Sequence, residues 1–158
     1  MQAENGPPPG RRIMAIDMGE KRIGIALSDE TQLLARSYEV LPRTSRKADF
    51  ARLKEIACSE DVGFLVVGLP LTLDGEEGPL VPWIRDYTAA LAAELQLPYA
   101  FWDETFTSQQ ASASMRARGT KAREQRGWLD AVAAAFILQD YLDASRGGLP
   151  PLASDLER

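Results

Sequence analysis

The sequence predicts an α/β domain: a mixed sheet with helices on both faces. Three observations carry that prediction. Arg12 to Asp17 and Arg22 to Ser28 read as two strands, and the second sets Ile23, Ile25 and Leu27 on one face against Gly24 and Ala26 on the other, the period of two of a strand in a hairpin. The run GFLVVG, Gly63 to Gly68, is apolar throughout, as expected for a strand buried on both faces in the parallel part of a sheet. Downstream, helical and strand patterns alternate, and the order becomes βββ-α-β-α-β-α-α, a meander followed by crossovers.

Each element has its own signal. The turn from Met18 to Lys21 holds Gly19, which tolerates positive φ. Ala35 to Leu41 is the third strand, ended by Pro42. From Lys47 to Ser59 the period changes, with Phe50, Leu53, Ile56 and Ala57 at helical spacing. After the loop LPLTLDGEEGP, Pro79 to Leu97 reads as a helix whose Pro79 and Pro82 are tolerable only near its start. Pro98 to Trp102 is a short strand, and Ser108 to Arg118 is helical. Trp128 to Ala144 is an alanine-rich helix stopped by Gly147 and Gly148. The expected division is a disordered, proline-rich tail over residues 1–10, a single domain over 11–146 and a loose tail over 147–158.

Composition narrows the chemistry. A chain of 158 residues with 45% hydrophobic side chains suits one domain with an ordinary core. It has no apolar run long enough to span a bilayer, so no membrane partner is expected. The first ten residues lack the basic end and apolar middle of a secretory signal. The lone cysteine, Cys58, excludes an internal disulfide and a cysteine zinc cluster, which suits a reducing, cytoplasmic setting. It is expected to be half-buried in its helix. The chain has no histidine, which removes Ser-His-Asp and Cys-His catalysis, His-ligated zinc and imidazole acid–base chemistry. Carboxylates, a bound metal, lysines or hydroxyls must do any chemistry. The net charge of −5 argues weakly against nonspecific nucleic-acid binding, but the charges are unevenly placed. Arg116 to Arg126, RARGTKAREQR, carries five positive charges and one negative. Arg43, Arg46 and Lys47 form a second basic group, and Lys21 with Arg22 a third.

Acids occupy three strategic ends. Asp17 closes the first strand, Asp103 and Glu104 follow the strand PYAFW, and Asp130 lies in the first turn of the last helix. In a mixed sheet of this order the first and fifth strands can end at the same edge, where ligands collect. Asp17, Glu104 and Asp130 can therefore converge. Converging carboxylates repel unless protonated or neutralised by a cation. Oxygen ligands without histidine or thiolate suit Mg²⁺ or Mn²⁺, and two such ions support phosphodiester hydrolysis. Each acid alone also fits a commonplace role: a turn aspartate, a solvated loop, a helix first-turn acid. Lys21 and Arg22 suit a phosphate contact or a solvated hairpin tip. Arg116, Arg118, Lys121, Arg123 and Arg126 lie between two helices, with Gly119 and Gly127 as breaks, and suit a flexible loop that tracks a nucleic-acid backbone, or a plain solvated loop. Trp83, Trp102 and Trp128 show no stacking pattern and are read as core.

Four stretches then carry a resemblance. DMGEKRIGIALSD, VVGLPLTLDGEEGP, WDETFTS and LDAVAAAFILQDYL, in that order, resemble the motifs of the YqgF/RuvX family of RNase H-like nucleases, described as Holliday junction resolvases and as pre-16S rRNA processing nucleases. The resemblance covers roughly Arg12 to Ala144. It implies an RNase H-like fold, a mixed five-stranded sheet made of a three-strand antiparallel meander plus two parallel strands. It also implies catalytic acids at Asp17, Glu104 and Asp130, with Asp103 as an accessory metal ligand. Two departures bear on substrate preference: Thr105 stands where the family commonly has arginine, and Gly127, Trp128 and Leu129 precede Asp130 where basic residues are common.

The leading expectation is an Mg²⁺- or Mn²⁺-dependent endonuclease acting on structured nucleic acid, either a four-way DNA junction or precursor 16S rRNA. Symmetric cutting of a junction would call for a homodimer. Two other readings stay in view. One is a non-catalytic protein that binds nucleic acid or a partner. The other is an actin-like ATPase, which needs two such lobes where this length supplies one.

Overall fold

The computed structural model describes residues 6–71, 76–104 and 122–146. The expected helix at Ser108 to Arg118, the basic residues Arg116, Arg118 and Lys121, the side chains of Arg123 and Arg126, and the last twelve residues lie outside that description. The strands are β1 (Arg12–Met18), β2 (Arg22–Ser28), β3 (Ala35–Pro42), β4 (Val62–Leu69) and β5 (Tyr99–Asp103). The helices are α1 (Arg46–Ser59), α2 (Val81–Leu95) and α3 (Ala122–Arg146). The sheet runs β3-β2-β1-β4-β5. β1, β2 and β3 pair antiparallel, and β4 and β5 join parallel to β1. This is the mixed five-stranded sheet expected from the meander-then-crossover pattern.

The two faces differ in grain. One carries α1 and α2 over large side chains, among them Met14, Ile16, Ile23, Ile25, Leu27, Leu65, Val67 and Phe101. α1 starts cleanly because the Ser45 side chain accepts from the Ala48 N–H, satisfying one of the orphan donors of the first turn. Among the described residues, the other face carries α3 alone, over Ile13, Ala15, Ala26, Phe64, Val66 and Ala100. Ala131, Ala133 and Ala134 of α3 are buried. Alanine on the helix and alanine or glycine on the strands let the helix backbone come very close to the sheet.

Several expectations need correction. α3 begins at Ala122, not Trp128, so the basic segment enters it before Asp130 and Gly127 is no break. The stretch AREQR consists of good helix formers, which outweigh the roughly 1 kcal/mol that one glycine costs a helix. Gly19 does not have positive φ; among the described glycines only Gly6 and Gly10 do. Its requirement is space: the Gly19 N–H bonds the Arg22 carbonyl at 2.8 Å, and a Cβ would lie 2.7 Å from that oxygen. Cys58 is exposed, because the stripe Phe50, Leu53, Ile56 and Ala57 turns it to solvent. Trp128 is 41% exposed and is not core, unlike the partly buried Trp83 and Trp102.

Candidate active site

Asp17 lies at the carboxyl end of β1, on the face covered by α3. Odd-numbered Ile13 and Ala15 belong to that face, whereas Met14 and Ile16 belong to the other. Its neighbours across the sheet decide what can approach it. On one side Asp17 pairs with Gly24 of β2. On the other, Ile16 pairs with Val67 of β4, so Gly68 follows beside Asp17. Asp17 is therefore flanked by glycines on both neighbouring strands.

Each glycine makes room for another acid. A Cβ on Gly24 would lie 2.0 Å from the Asp130 carbonyl oxygen and 2.9 Å from the Ala131 nitrogen. The backbone of α3 rests directly on the strand there, and only glycine permits it. The Ser37 hydroxyl, on the neighbouring strand, donates to the Ala131 carbonyl at 3.1 Å and holds the same turn. A Cβ on Gly68 would lie 2.8 Å from Oε2 of Glu104. β4 separates β1 from β5, so Glu104 reaches Asp17 only by crossing β4, and it crosses over Gly68. The Glu104 N–H is anchored to the Leu69 carbonyl at 3.1 Å.

The structure thus brings Asp17 and Glu104 into contact and sets Asp130 near enough to act on both through its charge. Asp17 is 8% exposed and hydrogen-bonded to Glu104. Burial pushes the Asp17 carboxyl above the usual aspartate range, the bond from Glu104 opposes that rise, and the charge of Asp130 adds to it. Burial pushes Glu104 up further, helped by the charge of Asp17 and by the bond it makes to Asp17, then by the charges of Asp103 and Asp130. The pair thus favours its protonated form more strongly than either carboxyl would alone. Asp103 follows Trp102 on β5, and strand alternation places it on the face opposite Glu104. It acts on Glu104 through its charge.

Asp130 is engaged elsewhere. Its Oδ2 accepts from Arg22 Nε at 3.1 Å. Among the described residues no group of three acidic side chains is closed around a metal-sized point. The donor set still fits a hard divalent cation in kind: oxygen donors, one of them on a buried aspartate, no soft donor beside them, and a carboxyl pair whose surroundings disfavour its uncompensated charge. Lys21 is exposed and, with Gly19, Glu20, Arg22 and Asp130, lines a cleft of about 310 Å³ at the hairpin tip.

Sequence reasoning missed three contributors. Gly24 and Gly68 are seats for acids, and a glycine inside a strand is a recognised sign of close backbone approach. Arg43 belongs to the fold rather than to a basic surface. Its guanidinium donates to the Gly19 and Glu20 carbonyls at 3.0 and 2.9 Å and stacks 4.3 Å from the Trp83 ring, bracing the hairpin that presents Asp17. Arg46 is paired with Asp86 at 3.2 Å.

A five-stranded mixed sheet in the order β3-β2-β1-β4-β5, with acids at the carboxyl edge of its parallel strands, is an α/β fold of the kind seen in resolvases. Solved structures agree. The RuvC resolvase of Thermus thermophilus bound to a Holliday junction matches over 90% of this chain and 99% of its own, with a TM-score of 0.59 at 20% identity. The Fowlpox virus resolvase, also with junction DNA, matches over 85% and 98%, with a TM-score of 0.53 at 12% identity. At such identities the likeness is one of fold. The family evidence is closer. The sequence profile of RuvX, described as Holliday junction resolvase, matches residues 11–144. A relative in Anaeromyxobacter dehalogenans named "Putative pre-16S rRNA nuclease" is 43% identical over 84% of this chain and 96% of its own length. One of the same name in Syntrophus aciditrophicus is 39% identical over 91% and 97%. The chain belongs to the RuvX (YqgF) family of nucleases.

Proposed function

We propose that this chain is a divalent-cation-dependent endonuclease that hydrolyses phosphodiester bonds in structured nucleic acid, with Asp17, Glu104 and Asp130 as its working acids. The observation that carries this reading is the glycine-flanked Asp17. Two glycines on neighbouring strands serve to admit two more carboxyl-bearing residues to one buried aspartate. Burying like charges together costs several kcal/mol unless something neutralises them, and a fold gains nothing from such an arrangement for its own sake.

In this reading Asp17, Glu104 and Asp130 supply the oxygens that hold Mg²⁺ or Mn²⁺, with Asp103 adding negative field. When bound, such ions neutralise the carboxylates and stabilise charge on the phosphate under attack. Carboxyls whose surroundings disfavour their charge, as Asp17 and Glu104 are here, would be neutralised by such an ion. Lys21 and Arg22, at the lip of the same edge, hold a substrate phosphate. Arg116, Arg118, Lys121, Arg123 and Arg126 lead along the chain toward Asp130 and supply the sequence-independent grip on the backbone. Residues 11–146 make up the nuclease domain. Among the described residues no helix is long and apolar enough to cross a membrane.

The favoured substrate is precursor 16S rRNA, because the relatives at about 40% identity carry that name while the junction-bound structures share only the fold. The test is one cleavage assay in Mn²⁺ and in Mg²⁺. It offers a labelled 5′ fragment of precursor 16S rRNA beside a labelled four-way DNA junction, with Asp17→Asn as control. Cutting of the RNA, absent in the variant, is the expected result. Paired symmetric nicks in the junction alone would make the protein a resolvase and a working homodimer. No cutting of either would leave a binding protein.

A further inference from the structure

Arg22 stands between the acids and a cation. Asp17 and Glu104 bond each other, but the Asp130 carboxylate accepts a charged bond from Arg22 Nε at 3.1 Å. The two partners are not equally free to move. The Asp130 backbone rests directly on Gly24, with no room to move closer to the strand. The Arg22 side chain, at the start of β2, is 43% exposed and lines the open cleft shared with Gly19, Glu20, Lys21 and Asp130. A guanidinium there can turn to a phosphate in that cleft without disturbing the core, and its planar fork matches phosphate as well as it matches carboxylate.

We infer that Arg22 is an exchangeable counter-ion: it occupies Asp130 in the cation-free protein and passes to a substrate phosphate when a divalent cation takes its place on that carboxylate. This rests on the proposed function and adds a coupling to it. A cation bound at Asp130 releases Arg22 toward nucleic acid, and a phosphate that draws Arg22 away releases Asp130 toward the cation. By linkage the two ligands favour each other by the same factor. The open state of the site is then set by a surface ion pair, which is weak enough to be exchanged.

The test is binding of Mn²⁺ alone, by titration calorimetry without nucleic acid, to wild type, Arg22→Gln and Lys21→Gln. The two variants remove the same charge from adjacent residues, but only Arg22 touches Asp130. Arg22→Gln should bind Mn²⁺ about threefold to tenfold more tightly than wild type, and Lys21→Gln should change by less than about twofold. In the cleavage assay Arg22→Gln should need less Mn²⁺ yet show a higher KM for nucleic acid. A merely structural role would worsen both. Equal tightening in the two variants, or unchanged or weaker Mn²⁺ binding by Arg22→Gln, overturns the inference while leaving the nuclease reading intact. If wild type neither binds Mn²⁺ nor cuts either substrate, both readings fall. Arg22→Lys, which keeps the charge and loses the fork, should lie between wild type and Arg22→Gln.

Discussion

Two aspartates sit at opposite ends of the same hairpin, and the fold treats them in opposite ways. Asp17 ends β1 beneath α3, where burial and its acidic company push its carboxyl up. Asp29 follows β2 at the other edge of the sheet. Its carboxylate accepts from the N–H groups of Leu33 and Leu34 at 2.9 and 3.0 Å and from the Thr31 hydroxyl, and these bonds hold its carboxyl down at about 2. In the sequence both stand at the end of an apolar run. Asp29 is satisfied by the loop it organises, so its charge stabilises the fold. Asp17 is placed against other acids, so its charge destabilises the fold. Under the proposed function a cation offsets that cost, and the contrast separates an aspartate kept for structure from one kept for chemistry.

The largest expected effect breaks the comparison at its functional end. Asp17→Asn or Glu104→Gln should lower cleavage about a thousandfold or more, as for removal of a residue that acts within a unit. Asp29→Ala should leave the cleavage rate within about twofold. A time course on the preferred substrate decides it. Substantial activity in Asp17→Asn would remove that residue from the mechanism.

Gly24→Ala comes next, because it attacks the geometry and leaves every acid in place. Its new Cβ meets main chain, not a flexible tip, so α3 must lift from the sheet. The expected loss is about 2–4 kcal/mol of stability, read by denaturant unfolding, with loss of cleavage even where the variant stays folded. Wild-type stability and activity in this variant would show that α3 does not need its seat on β2.

The legible part of this site was its topology. Period-two patterning gave β2 to the residue, the run Gly63 to Gly68 marked β4, and the strand order placed Asp17 and Glu104 at one edge. The register was not legible. Nothing in one sequence says that Gly24 lies opposite Asp17 or that Gly68 lies under Glu104, because pairing partners are set by the whole sheet. The Arg22 contact with Asp130 spans 108 positions, and no local pattern encodes it. The early start of α3 was hidden by Gly127, read as a break although its neighbours favour helix. Thr105 lies outside the described residues, and what it does in place of arginine is not explained by them.

Glu104→Gln gives a smaller effect of informative sign. A carboxyl whose pKa is raised by folding stabilises the native state fully at pH below its ordinary value, 4.5, and that contribution is lost as pH rises toward the raised value. Without divalent cations, wild-type Tm should fall as pH rises from about 5 toward 8. Glu104→Gln cannot ionise, so its Tm should change less and should exceed wild type by about 2–5 °C at pH 8. Added Mn²⁺ should raise wild-type Tm and do little for the variant. A less active enzyme that melts higher is the expected cost relation of a site built against stability.

The smallest effect completes the contrast at Asp29. Its folded carboxyl lies below its ordinary value of 3.8, so the sign reverses: its contribution is present above that value and is lost as pH falls through about 2. Asp29→Ala leaves the Leu33 and Leu34 N–H groups to water, because that loop is exposed, and the loss should be about 1 kcal/mol at pH 7. Asp29→Asn keeps an accepting oxygen for them and should lose about half as much. Chemical denaturation of the three proteins at pH 7 and at pH 3 tests this. The gap between wild type and Asp29→Asn should narrow at pH 3, where the unfolded chain's Asp29 is largely protonated. A gap that stays constant would mean that the charge of Asp29 contributes nothing and that shape alone holds the loop. The two ends of the hairpin would then differ in burial but not, as the carboxyl shifts imply, in the sign of what ionisation does to the fold.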